Sequence, residues 1–535
     1  MRRGKNYTQR IRDTRVSQRY HSISKQSRRR SPARNYGIDW GADWRQPKSY
    51  GLADRVLLNL PREDFIGSSA LSLLSPRAEQ EGGAESFSND SLASLLYFGY
   101  GVTCSRSHGS AIYRLRAAPS AGAVYPTELY LVAGDLGELP AGIYHYSPED
   151  FSLELLHEGD SREAAASICA GDGKEGGRFY LVFTSMCRRT EARFGRPGYR
   201  YCLLDGGHVI GNFLALLDRF DCRAFLRGSF DDRRLYGLLG LEREEEAILA
   251  VLQVGDEECK PGFPVLSSER DLSADLTLSR ERDRQGRSLA LRVHDAGSLV
   301  TEGGKEVDAP SRKSGSGDVQ GEAAHKRLSI TEQMLTGLDG KDIGEVLGGR
   351  RTTRRFAGEA ITEAELAVLT ECSAAPYEAD WLESQENKDG IDLFAQAELF
   401  VAANNVRGLE PGIYRIDRVR KVLAAAVGRA ATVAELTDAC MGQKQAVEAA
   451  AVIFVAPRLG EHLERFGNRG YRYAGIHAGI VGERIYLAAT ALGLGVSGIA
   501  GLDDDLVNRL CGIDGEETAV IYALAVGRPL TERLD

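Results

Sequence analysis

Residues Arg193 to Tyr201 read R-F-G-R-P-G-Y-R-Y, and Arg465 to Tyr473 read R-F-G-N-R-G-Y-R-Y, 272 positions further on. Other segments keep nearly the same register. E-L-Y-L-V-A from Glu128 returns as E-L-F-V-A-A from Glu398, and G-I-Y at Gly142 returns at Gly412, both at an offset of 270. Each copy closes on a strand-like run into glycine, at Gly255 and Gly527, again 272 apart. Two copies are too few for a solenoid. The chain should therefore fold as two globular units that pack as an internal pseudo-dimer.

The 535 residues, 43% hydrophobic and 27% charged, give ordinary soluble material for such a pair. No run is long and apolar enough to span a membrane. Nine cysteines lie scattered with no C-x-x-C pair, so neither a zinc site nor a disulfide framework is expected, and a reducing cytoplasm fits best. The net charge of −9 argues against general nucleic-acid binding. The first 34 residues nevertheless carry twelve Lys and Arg against one acid, Asp13. This stretch has no apolar segment to make a secretory signal, and reads as a solvated basic tail or an arm for RNA or an acidic peptide. Residues 267–328 are rich in Ser, Gly and charge and should form a mobile linker or a long excursion over the surface. The expected division is an N-terminal extension over 1–86, a first domain over 87–262, a linker over 263–340 and a second domain over 341–535.

Within each copy, strand-like runs from Leu129, Phe179, Ala451 and Ile521 alternate with helical patterns, which gives a mixed α/β fold. The helix expected from Tyr473 to Leu492 has Ala474, Gly475, Ala478, Gly479 and Gly482 on adjacent turns. Such spacing permits close approach of a partner helix, here the one following Tyr201, or a tightly packed core helix.

R-R-T-T-R-R-F, Arg350 to Phe356, places several guanidinium groups around hydroxyls just after a Gly-Gly turn. That combination suits a dianionic phosphate, because arginine binds its oxygens in pairs. The run resembles the R-R-S-x-R-x-F opening of the FMN-dependent nitroreductase superfamily, where it holds the flavin phosphate. G-L-G-V-S-G-I-A-G-L-D from Gly493 is similar to that family's late glycine-rich segment, and G-Q-K-Q from Gly442 to its polar flavin contact at Gln443. In the first copy, A-P-S-A-G-A-V-Y-P from Ala118 resembles the signature of the SagB-type dehydrogenase branch, flavin enzymes that oxidise azolines to azoles in peptide natural products. Y-H-S-I-S-K at Tyr20, D-W-R-Q-P-K-S-Y at Asp43 and G-Y-R-Y-C-L-L-D-G-G-H at Gly198 resemble the same branch.

The two copies have lost different motifs. Where the first should carry its arginines it reads S-P-R-A-E-Q-E-G-G-A-E-S-F, and where the second should carry A-P-S-A-G it reads S-A-A-P-Y-E-A-D-W. The family builds its flavin site across a dimer interface. The resemblance therefore implies one surviving composite FMN site, made of Arg350, Arg351, Thr352, Arg354, Gln443, Ala500 and Gly501 with Pro119, Ser120 and Gly122. The Lys-Tyr pair to which the branch assigns proton removal is Arg193-Phe194 and Arg465-Phe466 here. Neither side chain can serve as a base. His208, Tyr199 and Tyr201 are the catalytic candidates, with Tyr125 beside them; each could equally be a packed core residue. The expected activity is two-electron oxidation of a heterocycle or residue in a peptide, with biosynthetic complex partners and the pseudo-dimer acting alone or dimerising again. The alternatives are an NAD(P)H-fed reductase of small molecules and an inert flavin-binding partner.

Overall fold

The computed structural model describes residues 14–27, 47–61, 69–74, 87–108, 111–170, 176–220, 222–255, 266–268, 288–301, 325–327, 341–382, 397–417, 422–425 and 431–530. Met1 to Asp13 of the basic tail, the glutamate-rich stretch 75–86 and most of the segment between the copies lie outside them.

The repeat appears as two sheets with one strand order. In the first copy the strands run Ser152–Glu158, Gly142–Ser147, Thr127–Ala133, Phe179–Ser185, Ala247–Gly255, Arg223–Arg227 across the sheet. In the second they run Val422–Ala425, Gly412–Asp417, Ala397–Ala403, Ala451–Pro457, Tyr522–Gly527, Gly495–Ile499. The central strands Thr127–Ala133, Phe179–Ser185 and Ala451–Pro457 are buried along their whole length, which is why they read as unbroken apolar runs rather than alternating ones.

Six helices position the site. They are α1 (Arg15–Ser24), α2 (Gly198–Arg219), α3 (Asp232–Leu239), α4 (Leu289–Ala296), α5 (Arg469–Ala491) and α6 (Asp504–Cys511). The pair α3 and α6 shows how closely local rules were copied. Asp231 and Asp503 each cap an N-terminus by accepting a backbone N–H, from Arg234 and Leu506, and Gly240 and Gly512 each close the C-terminus at φ near +64° and +71°. A left-handed backbone there favours glycine over any residue with a Cβ.

Helices α2 and α5 form the centre of the molecule. A Cβ built on Gly207 would lie 2.2 Å from the Ile476 carbonyl oxygen, and one on Gly475 would lie 2.7 Å from Leu203 Cβ. The small residues thus let the pseudo-equivalent helices touch backbone to backbone, as their spacing anticipates. Charge is exchanged on the same plan. Arg200 on α2 binds Asp504 on α6 at 2.6 Å, while its counterpart Arg472 on α5 lies 3.7 Å from Asp232 on α3, every one of the four buried. Each copy's arginine is neutralised by the other copy's aspartate.

Two segments depart from expectation. α4 lies inside the stretch read as mobile linker, yet all eight of its residues are buried and Ser288 caps it. Composition averaged over sixty residues hid a short L-A-L-R-V-H-D-A core helix. α1 likewise belongs to the N-terminal extension, yet Tyr20 is fully buried, its ring 5.9 Å from Tyr199 and 5.4 Å from the pseudo-equivalent Tyr471.

Candidate active site

Between the two copies lies a cavity of about 380 Å³. The first copy contributes Pro119, Ser120, Ala121, Gly122, Phe194, Tyr201, Leu204, Asp205 and His208; the second contributes Thr352, Arg354, Gln443, Gln445, Tyr486, Ser497, Gly498, Ala500, Gly501 and Tyr522. Gln26, just beyond α1, completes the wall and donates to the Tyr201 hydroxyl at 2.7 Å.

The loop after Ala118 is held by a carboxylate. Ser120 Oγ donates to Asp205 Oδ2 at 2.6 Å and accepts from the Tyr125 N–H at 2.9 Å, and the Ala121 N–H donates to Asp205 Oδ1 at 3.1 Å. These bonds support a backbone with φ +60° at Gly122, +54° at Ala123 and +50° at Tyr125, the last two unusual for residues with a Cβ. Burial pushes the Asp205 carboxyl up to about 7, against its hydrogen bonds from Ser120 and Ala121.

On the facing wall the arginine run divides. Thr352 and Arg354 line the cavity. Arg350 and Arg351 do not. Arg350 is buried and donates to the carbonyl oxygens of Ala117 at 2.5 Å and Arg116 at 3.3 Å, tying the second copy to the base of the Ser120 loop. Arg351 clamps Thr103 of the first copy through its carbonyl at 2.8 Å and hydroxyl at 3.2 Å. Gln443 lines the cavity and donates to the Gly501 carbonyl at 3.2 Å. A Cβ on Gly501 would project into the open space between Gln443, Tyr201 and Gln26, none nearer than 3.7 Å.

Of the catalytic candidates, His208 and Tyr201 reach the cavity and Tyr199 does not. Its hydroxyl meets His294 Nδ1 on α4 at 3.2 Å, and burial raises its phenol well above the usual range. Tyr125 is also turned away, its hydroxyl accepting from the Arg116 N–H at 3.2 Å. His208 Nδ1 lies 2.5 Å from Glu483 Oε2 and its Nε2 lies 2.9 Å from the Tyr522 hydroxyl. Asp205, Tyr486 and Tyr522 were missed by sequence reasoning, although Asp205 stands inside the C-L-L-D-G-G-H stretch already singled out.

The pseudo-symmetric position is filled with protein. Tyr377 stands at the counterpart of Ser120 and His477 at that of Asp205, and the Tyr377 hydroxyl meets His477 Nδ1 at 2.8 Å. Trp381, fully buried, stacks on Tyr473 with ring centroids 4.7 Å apart and 8° between planes. Asp380 accepts the N–H groups of Gly228 and Ser229, both at 2.8 Å, and these are the counterparts of Ala500 and Gly501. The segment is fixed by a two-residue strand, Glu378–Ala379, that pairs in parallel with Arg223–Arg227 of the other copy.

Duplicated units of this topology have a counterpart among known proteins. The model of the Nitroreductase family matches residues 86–256 and 347–528, well over half the chain. The chain belongs to the nitroreductase family. Its fold occurs twice, and family members usually bind flavin. The crystal structure of a nitroreductase-family protein from Anabaena variabilis covers 97% of this chain and all of its own, with 26% identity and a TM-score of 0.73. The nitroreductase-family protein MJ1384 of Methanocaldococcus jannaschii is 27% identical over 205 residues, 38% of this chain and 98% of that one. The trifolitoxin-processing protein TfxB of Rhizobium leguminosarum bv. trifolii is 31% identical over 104 residues, but these are only 28% of its length and 18% of this chain. Among the described residues no helix is long and apolar enough to cross a membrane, and no group of three His, Cys, Asp or Glu is placed to hold a metal ion. The eight described cysteines are all free.

Proposed function

We propose that this nitroreductase-family protein is an FMN-dependent oxidoreductase of SagB type that removes two electrons from a heterocycle or residue of a peptide, with one FMN per chain. The observation that carries the reading is the pairing of one open composite cavity with one protein-filled counterpart. The residues present fit the cofactor. Thr352 and Arg354 offer a hydroxyl and a guanidinium to its phosphate, Gln443, Gln445 and Ser497 offer polar groups to a heterocycle, and Gly501 leaves room a Cβ would take. Asp380 supports this assignment by analogy. In the filled half, an anionic acceptor made of protein occupies the two amides whose counterparts, on Ala500 and Gly501, would face acceptor atoms of the ring.

Bound FMN would supply a two-electron acceptor for hydride. The rest falls to the chain. Phe194 and Tyr201, edge to face at 5.0 Å, give the cavity an apolar shoulder for a flat substrate, and Gln26 anchors Tyr201 there. The likeness to TfxB supports a peptide substrate and biosynthetic partners; the likeness of 38% of the chain to MJ1384 keeps a second reading, reduction of small molecules by NAD(P)H.

Rapid mixing decides between them. The flavoprotein mixed with an azoline-containing peptide, and separately with NADPH, is followed at the flavin absorbance. Bleaching by the peptide is the expected result, and bleaching by NADPH alone selects the second reading. No bleaching by either would leave a flavin-binding partner without catalysis.

A further inference from the structure

The proton that leaves with the hydride has no acceptor at Arg193 or Phe194. One hydrogen-bonded series reaches the cavity and crosses between the copies. Glu483 on α5 meets His208 on α2, and His208 meets Tyr522 on the strand Tyr522–Gly527. Room for each member is made by a glycine. A Cβ on Gly211 would lie 2.9 Å from Glu483 Cβ, one on Gly482 would lie 3.1 Å from His208 Cε1, and one on Gly498 would lie 2.1 Å from the Tyr522 hydroxyl oxygen. Arg350 Nε, 4.0 Å from Glu483 Oε1, places a positive charge behind the carboxylate. All of these side chains are buried, yet both His208 and Tyr522 line the cavity.

The filled half lacks the whole series. At the offset of 272, the positions matching His208, Glu483 and Tyr522 are Ile480, Gly211 and Ala250, and that matching the neighbouring Tyr486 is Leu214. The filled half has its own buried imidazole and carboxylate, His477 and Asp380, but they bond to Tyr377 and to the amides of Gly228 and Ser229, and neither lines the composite cavity. Burying polar groups is costly even where they are hydrogen-bonded, and this bonded series ends on two groups, His208 and Tyr522, that line the open cavity, which calls for a use there.

We propose that Tyr522, His208 and Glu483 form the proton-transfer unit of the flavin site, with Tyr522 the catalytic residue and His208 and Glu483 acting through it. The proposal rests on the flavin-dependent reading above. With Glu483 accepting from His208 Nδ1–H, the free lone pair on Nε2 accepts the Tyr522 hydroxyl. Dehydrogenation removes a hydride and a proton from adjoining substrate atoms. Bound flavin would supply the acceptor for the hydride and its two electrons. The proton passes to Tyr522 Oη as the phenol's own proton crosses to His208 Nε2, leaving an imidazolium paired with the Glu483 carboxylate, and the reverse transfer returns the proton to the cavity. Tyr522 is held well above the usual phenol range by burial, so it stays protonated at rest and can accept only by handing its proton on. The arrangement repeats the logic of a base oriented by a carboxylate behind a hydroxyl.

Two measurements test it. In the purified protein with ¹⁵N-labelled histidine, a strongly downfield imidazole N–H proton is expected, lost in both His208→Gln and Glu483→Gln and retained in Tyr522→Phe. In rapid mixing with the azoline peptide, Tyr522→Phe and His208→Gln should slow bleaching about a hundredfold or more while flavin content and circular dichroism are unchanged, and any bleaching by NADPH, which gives up a hydride and no proton, should keep its rate. Full-rate bleaching in Tyr522→Phe overturns the catalytic assignment, and absence of the downfield proton overturns the series itself. If the parent protein binds flavin but is not bleached by the peptide, the dehydrogenase reading fails and the proton-transfer role with it, even where the downfield proton is present.

Discussion

Gly207 and Gly479 sit face to face at the crossing of α2 and α5, where a Cβ on Gly479 would lie 2.3 Å from the Leu204 carbonyl oxygen and 2.8 Å from Gly207 Cα. Their obstacles are backbone, which cannot swing aside. Gly479→Leu should therefore cost at least the roughly 1–3 kcal/mol typical of overpacking and lose flavin with stability, since the cavity is built on the same two helices. Gly237→Ala makes the control. Nothing lies within 4 Å of its Cβ position, and alanine should stabilise α3 by somewhat under 1 kcal/mol. Urea denaturation of both variants checks the pair.

The split in the arginine run gives a second expectation. Arg354→Ala should weaken FMN binding by roughly tenfold to a hundredfold, the worth of a charged hydrogen bond of about 1.5–3 kcal/mol, with the melting temperature unchanged. Arg351→Ala should do the reverse, because its guanidinium holds Thr103 rather than the cavity. Flavin titration and thermal melts on the two proteins separate the roles. An equal loss of flavin in both would mean that Arg351 swings inward on binding.

Trp381→Ala should destabilise the chain by about 3–5 kcal/mol, the usual result of emptying a large aromatic site. It should nonetheless leave flavin at one equivalent per chain, since Tyr377, His477 and Asp380 still occupy the remaining space. Two equivalents by extraction and absorbance would show that the tryptophan alone excludes a second cofactor.

Asp205 makes stability depend on pH with a definite sign. Its folded-state value near 7 lies above that of an unfolded aspartate, so the folded protein binds the extra proton between about pH 4 and 7. The protein is then most stabilised by this group below pH 4, and the contribution is lost as pH rises towards 7. Asp205→Asn should flatten that decline. The stability difference between the two proteins, measured by urea denaturation at pH 5 and pH 7.5, should change by a kcal/mol or more in favour of the variant at the higher pH; equal differences would place the carboxyl nearer its ordinary value.

The pseudo-dimer, the glycine crossing and the two half-motifs were legible because each depends on residues near one another in sequence or on an exact repeat. What escaped depends on distant pairing. Trp381 and Asp380 act through a two-residue strand that joins the other copy's sheet, far too short to show periodicity. Arg350 and Arg351 stand in a phosphate-like motif, but spacing does not say which way an extended side chain turns. Tyr522 looked like one more strand residue in I-Y-A-L-A-V. Glu483 did carry a signal, the lone acid of a helix whose other charged residues are arginines, and Gly211 at its matching position was the clue to an asymmetric use.

Tyr377 at the counterpart of Ser120 has a wider meaning. In a dimer of identical chains any change to a residue at the interface is made in both sites at once, so a side chain that fills one would fill the other. Joining the copies in one chain removes that coupling. One half is free to become a support, with tryptophan packed into it, while the other keeps its opening, and mutation can thereafter tune the two walls of a single site independently.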